Sequence, residues 1–313
     1  MAARGQGKMA GFSAVVIFSG ASGVPFNPDS DLSGTIARLF VYPVKSCAGI
    51  EVQQALLTET GLDLDRTWMV VDAQGEFLSQ RTLPRMALIR PQLKSEEMVL
   101  RAPGMLALHV AIDQVEAPAT VTVWHDTVPA WDMGAVAAQW FTDFLGQECR
   151  LIRFDPEVRR LSSLHWTGGI EAPNQFADGF PLVITSTASI DDLNERLILA
   201  GHTSVGVERF RVNIVLGGVG AYDEDRMKMV LVDGSEDDVV HLQPVKPCAR
   251  CPIPDVDPAT AQSDPSVSNM LRTYRQDKRV DGAITFGMNA IVRKGAGQTL
   301  RVGQRISADL QFE

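Results

Sequence analysis

The chain has 313 residues, 45% of them hydrophobic and 21% charged, with a formal net charge of −9. That length is generous for one core and predicts two domains, or one with extensions. The acidic balance excludes non-specific nucleic-acid binding, which needs a basic surface. Four cysteines are too few for a secreted disulfide framework and point to a reducing compartment.

Residues 1–34 read as a disordered tail and linker. Ala10 to Phe18 is a short apolar run behind Arg4 and Lys8, which is also how a signal peptide or weak anchor begins. It is shorter than the ~20 apolar residues that span a bilayer. No later window is apolar enough, so no stable membrane insertion is expected. From Thr35 the pattern becomes one of short strands: Ile36 to Val41, Gln53 to Leu57, and Thr67 to Asp72. A turn at Asp72–Gly75 returns through Phe77 to Gln80. Met98 to Arg101, Leu106 to Ile112 and Ala119 to Trp124 continue the spacing, which suggests a barrel or sandwich. Ala135 to Leu145 is the first clear helix, with Val136, Trp140, Phe141 and Phe144 on one apolar face.

Arg150 to Phe154 reads as a strand and Asp155 to Pro173 as an irregular stretch that separates two domains, 35–150 and 151–313. The second opens with a strand at Pro181–Ser186 and a helix at Ser189–Leu197, capped by Ser189. Phe210 to Leu216 is a strand, and Val230–Val232 with Val239–Leu242 is a hairpin around Asp233-Gly234. Val267 to Arg275 is helical, and Phe286 to Arg293 and Thr299 to Val302 finish as strands. The expected fold class is α+β and β-rich: a β-barrel-like N-terminal domain packed with a β-barrel carrying a few helices.

Three segments carry chemistry-bearing residues. Lys246-Pro247-Cys248-Ala249-Arg250-Cys251, followed by Pro252 and Pro254, is expected to be irregular. Its cysteine pair reads as half a zinc site, a redox pair, two buried thiols, or one thiolate favoured by the neighbouring guanidinium. The zinc reading lacks a second ligand pair, and the redox reading lacks a following helix. In Tyr42-Pro43-Val44-Lys45-Ser46-Cys47, Pro43 halts a strand, and Lys45 and Ser46 either donate to an anion or are solvated. Asp65-Arg66 is a similar case, in which the two simply pair. In a strand, Arg209, Arg211 and Asn213 alternate to one face, either solvated or turned to a phosphate-bearing ligand.

In combination these motifs resemble the MOSC family, the molybdenum cofactor sulfurase C-terminal domain proteins with an N-terminal β-barrel partner, and within it the amidoxime-reducing branch. Tyr42 to Cys47 and the Cys248 to Pro258 stretch carry the likeness, which runs from about Thr35 to the last strand. It implies a molybdenum cofactor (Mo-molybdopterin) with its metal held by Cys251, the catalytic ligand, and Cys248 as a neighbour. It also implies cofactor contacts from Lys45, Ser46, Arg66, Arg211 and Asn213, and from Ala249 and Arg250, the last two partly through backbone. Gly179 and Phe180 stand where relatives carry small hydroxylated residues, so a contact there runs through main chain. Pro252 replaces the usual aliphatic residue.

The implied activity is reduction of small N-hydroxylated compounds such as amidoximes, hydroxylamines and N-hydroxylated bases. The implied rival is a carrier of the cofactor or of sulfur on Cys251. No cysteine follows Cys251, so the iron–sulfur domain of some relatives is not expected. A separate electron-donor protein of ferredoxin, flavodoxin or cytochrome b5 type is expected instead, in a bacterial, cytoplasmic setting.

Overall fold

The computed structural model describes residues 30–234 and 239–312, so the readings of residues 1–29 lie outside the described residues. The organising element is a closed ring of seven strands, labelled here in chain order. They are β1 (Leu32–Val41), β2 (Leu182–Ser186), β3 (Ile214–Gly217), β4 (Met227–Val232), β5 (Val240–Ala249), β6 (Ala283–Lys294) and β7 (Arg305–Leu310). Their hydrogen-bonded order is β2-β3-β1-β7-β4-β5-β6, and β6 returns to β2. Only β2 and β3 run parallel in this ring. Closure pairs every strand on both sides, which removes the exposed edges of an open sheet.

Side-chain alternation then sorts residues between the two faces of the ring. Ile36, Leu39 and Val41 of β1 point inward, with Ile184, Ile214, Leu216, Leu242 and Ile306. Phe40 and Val215 face outward with Tyr42, just past β1, and are covered by Leu193 and Leu197 of the helix Thr187–Leu199 and Leu271 of the helix Ser266–Tyr274. This explains why β3 reads as a continuous apolar run: both of its faces are buried.

A second unit is built on a four-stranded antiparallel sheet, ordered Trp68–Asp72, Cys149–Phe154, Asp126–Asp132 and Ala117–Val123. One face packs Trp68, Val70 and Leu151 against Trp140, Phe141 and Phe144 of the helix Ala135–Leu145. The opposite face packs Met69, Val121, Val128 and Ile152 with Phe176. That helix ends at Gly146, whose φ of 76° supplies the left-handed C-cap that glycine adopts without strain.

Several local expectations are corrected. Prolines 244 and 247 do not break the cysteine segment: β5 runs through Cys248 to Ala249, with register shifts between Pro244 and Lys246 and between Pro247 and Ala249. Bulges absorb prolines that a regular ladder rejects. The Phe210–Leu216 strand begins only at Ile214, because Val207–Phe210 is a 3-10 turn and Arg211 is left-handed at φ 54°. Ser186, not Ser189, caps the helix Thr187–Leu199; its hydroxyl accepts from the Ser189 N–H. Val136 is exposed, and Leu32 to Gly34 belong to β1 rather than to a linker.

The stretch 155–173 is not structureless, since it carries the strand Arg160–Leu161 and the short helix Leu164–Thr167. Phe77 returns only as an isolated bridge to Val71. The strands Asp126–Asp132 and Arg305–Leu310 had no counterpart in the pattern reading. No helix among the described residues is long and apolar enough to cross a membrane.

Gly287 lies where β6 closes against β2, at φ 72°, and a Cβ there would sit 2.6 Å from the Ile184 carbonyl oxygen. Gly287→Ala is therefore expected to cost at least ~2 kcal/mol of stability. A falling urea midpoint measures it; an unchanged one refutes the tight closure.

Candidate functional site

The site begins with two loops that zip together. Pro43 ends β1, and the chain then runs beside the segment entering Trp68. Lys45 N–H donates to Trp68 O at 2.8 Å, Trp68 N–H to Pro43 O at 3.0 Å, and Arg66 N–H to Tyr42 O at 2.8 Å. Residues twenty apart thus lie side by side, and Lys45, Ser46 and Arg66 open onto one cleft. Arg66 O accepts from Phe176 N–H at 3.1 Å, which brings Asp178, Gly179 and Phe180 to the same wall. The end of β5 supplies Cys248, Ala249, Arg250 and Cys251, and the turn before β3 supplies Arg209, Arg211 and Asn213. The cleft holds a cavity of about 110 Å³ that opens to solvent, smaller than the roughly 300–1,000 Å³ of ordinary ligand sites.

Arginines hold these segments to one another through main-chain carbonyls. Arg66 donates to Arg211 O at 2.8 Å and to Asn213 Oδ1 at 3.1 Å. Arg211 in turn donates to Cys47 O. Arg250 reaches Phe210 O at 2.7 Å and Phe286 O at 2.9 Å. Asn213 is buried and fixed on both sides, accepting from Val183 N–H and donating to Phe40 O. Three cleft residues, Ser46, Arg66 and Arg211, have φ of 66°, 52° and 54°. Non-glycine residues rarely adopt this region, and such outliers gather at functional sites.

The electrostatics are opposite to those of the whole molecule. Lys45, Arg66, Arg81, Arg209, Arg211 and Arg250 line the cleft, against Asp178 as the acid among the described lining residues, in a chain of net charge −9. Burial pushes the Lys45 ammonium toward its neutral form, and Asp178, ion-paired to it, pulls the other way. Asp178 is itself exposed; the packed surroundings oppose its ionisation, yet Lys45 and the Trp124 indole N–H, 3.1 Å away, hold its carboxyl below the usual range. Burial and then Arg66 push Arg211 down. Arg211 Nη2 and Arg81 Nε are buried without a hydrogen-bond partner. Buried donors of this kind are expensive unless something accepts from them.

The cysteines are not equivalent. All four are free, and only Cys251 is part-exposed. Burial pushes the Cys47 thiol up to about 12, against the pull of Arg211. Burial likewise raises Cys248, against the pull of Arg250. Among the described residues no group of three or more His, Cys, Asp or Glu is arranged to hold a metal by itself.

All ten residues singled out in the sequence line this one cleft. Arg209 is there too, although not by strand alternation; it also pairs with Asp257 at 3.4 Å. Asp65 does pair with Arg66, and the arginine still faces the cleft. One expected contact changes. The Arg250 N–H is already committed to Ile284 O at 2.8 Å, so it has no backbone donor to offer. Asp178, Arg81 and Asn289 were missed. Asp178 had a signal, standing directly before Gly179, whereas nothing in the local pattern marks Arg81 or Asn289.

The chain is thus a two-unit β-rich protein in which a closed β-barrel and a second unit meet at a cationic cleft beside a part-exposed thiol. The chain belongs to the MOSC family: residues 33–148 match the MOSC N-terminal beta barrel domain and residues 171–307 the MOSC domain. It is 35% identical over 255 residues to mitochondrial amidoxime-reducing component 1 of Mus musculus, covering 77% of this chain and 72% of that one. The Homo sapiens component 1 is 34% identical over 254 residues, covering 78% and 72%. The molybdenum cofactor sulfurase of Bos taurus is 30% identical over 273 residues, which are 80% of this chain but 30% of the sulfurase.

The burial pattern predicts one fast-reacting thiol of the four in an aromatic-disulfide titration of the native protein near pH 8. Cys251→Ser should abolish it, and a fast phase that survives in that variant would assign the accessible thiol elsewhere.

Proposed function

We propose that the cleft holds a molybdenum cofactor and that the chain is a reductase of small N-hydroxylated compounds. The observation that carries this reading is the concentration of six cations around one part-exposed thiol in an acidic protein. An anionic, phosphate-bearing group satisfies the cations, including the orphaned Arg211 Nη2 and Arg81 Nε. Thiolate is a soft ligand suited to a sulfur-coordinated metal. The donor set therefore fits the group. Lys45, Arg66 and Arg211 would hold its phosphate end and Cys251 its metal, with Ser46, Asn213 and the main chain of Gly179, Phe180 and Ala249 around the ring system. When bound, the cofactor supplies oxygen-atom and two-electron chemistry, and the protein supplies position and electrostatics.

The amidoxime-reducing names of the mammalian relatives support the substrate class. Electrons would come from a separate protein of ferredoxin, flavodoxin or cytochrome b5 type. A second reading has one observation in its favour, the likeness to the molybdenum cofactor sulfurase across most of this chain. On that reading Cys251 carries sulfur or cofactor without turnover.

Protein from a cofactor-competent host should contain about one molybdenum and one pterin per chain, and reduce benzamidoxime to benzamidine with a chemical or protein donor. Cys251→Ser should lose turnover by at least ~10³-fold, as expected when a reacting metal loses its protein ligand. Full molybdenum with no turnover from any donor would leave the carrier reading standing. Normal turnover in Cys251→Ser would remove the ligand assignment.

A further inference from the structure

Arg66 and Arg211 are two like charges, each with left-handed backbone, brought side by side without a carboxylate between them. Asp65 bonds Arg66, not Arg211. What they share is the ring of Tyr42. The guanidinium carbon of each lies 4.4 Å from its centroid, well inside the distance at which a cation is attracted to an aromatic face. Tyr42 is completely buried, and its hydroxyl has no hydrogen-bond partner. Hydrogen bonding therefore gives no reason for this residue to be an aromatic; its ring does.

The ring is also immobilised. The Tyr42 backbone is tied down, its N–H donating to Asp65 Oδ1 at 2.8 Å and its carbonyl accepting from the Arg66 N–H. Gly49 presses so close that a Cβ there would lie 2.4 Å from Tyr42 Cε1. Burial and guanidinium chemistry act oppositely on the phenol: burial pushes it up to about 12, while Arg211 and Arg66 pull it down. Both arginines thus feel the ring, and the ring has no room to leave.

We propose that Tyr42 is the positioning residue of the cleft, a fixed π-platform that holds Arg66 and Arg211 together and aims them at an anionic group. What that group is rests on the cofactor reading above; the clamp itself does not. Tyr42 itself is not among the residues lining the cleft, so it acts through the arginines.

Fluorination tests this without removing the ring. Tyr42→Phe serves as the reference, and mono-, di- and trifluorophenylalanine at position 42 weaken the ring quadrupole stepwise at nearly constant shape. Two quantities are read in the full chain: hydrogen exchange of the Arg66 and Arg211 Nε–H signals by NMR, and inorganic pyrophosphate binding by calorimetry. Exchange should accelerate at each step, and pyrophosphate binding should weaken roughly tenfold by the last. Arg66 and Arg211 exchange that ignores fluorination overturns the clamp, whatever pyrophosphate does. Failure of the cofactor reading looks different: molybdenum is absent from wild-type protein while the fluorine dependence of exchange persists.

Discussion

The structure depends on arginine side chains that bond to carbonyls of neighbouring segments. Arg66 reaches Arg211 O, Arg211 reaches Cys47 O, and Arg250 reaches Phe210 O. Each bond satisfies part of a buried guanidinium and fixes the next segment. Concentrating charge in a partly desolvated cleft is costly, because removing a cation from water is repaid only by good partners. Carbonyls repay some of that cost without cancelling the charge of Arg211 or Arg250, whereas Arg66 also pairs with Asp65. A carboxylate at every arginine would have repaid more and cancelled the field. The cleft therefore keeps a positive potential in an acidic protein, which draws anions from solution.

The barrel provides the rigidity that this arrangement requires. β3 is buried on both faces, and Asn213 just before it is locked by Val183 and Phe40. The strained φ values of Arg66 and Arg211 persist because the surrounding sheet over-determines them. Arg160, in the short strand Arg160–Leu161, performs a similar task from outside. Its Nη1 donates to Asn174 Oδ1, Gln175 O and Ala177 O, while its Nε pairs with Asp126. It thereby holds the segment that carries Asp178 and Gly179.

Much of the cleft was legible because its residues sit in short motifs whose chemistry is unusual for loops: Lys45-Ser46, Asp65-Arg66, and the cysteine pair. The helix Ala135–Leu145 was legible because periodicity is a local property. What was not legible is non-local. The cysteine segment was expected to be irregular, yet β5 continues through it to Ala249, and bulges against β6 absorb Pro244 and Pro247. Alternation suggested that Arg209, Arg211 and Asn213 share a strand face, whereas a left-handed Arg211 delivers them to the cleft by a turn. Asp178 was adjacent to residues already chosen, but its pairing with Lys45 crosses 133 positions. Arg81 enters from the N-terminal unit, and only the fold brings it there.

The pairing of β1 with β7 has a consequence for how the protein is made. Leu32 pairs with Ala308, so the first described strand finds one neighbour among the last. During synthesis β1 must wait, half-paired, until residues 305–310 have left the ribosome. Until residues 305–310 have emerged, a nascent chain therefore has an open barrel, with one edge of β1 available for pairing with another chain.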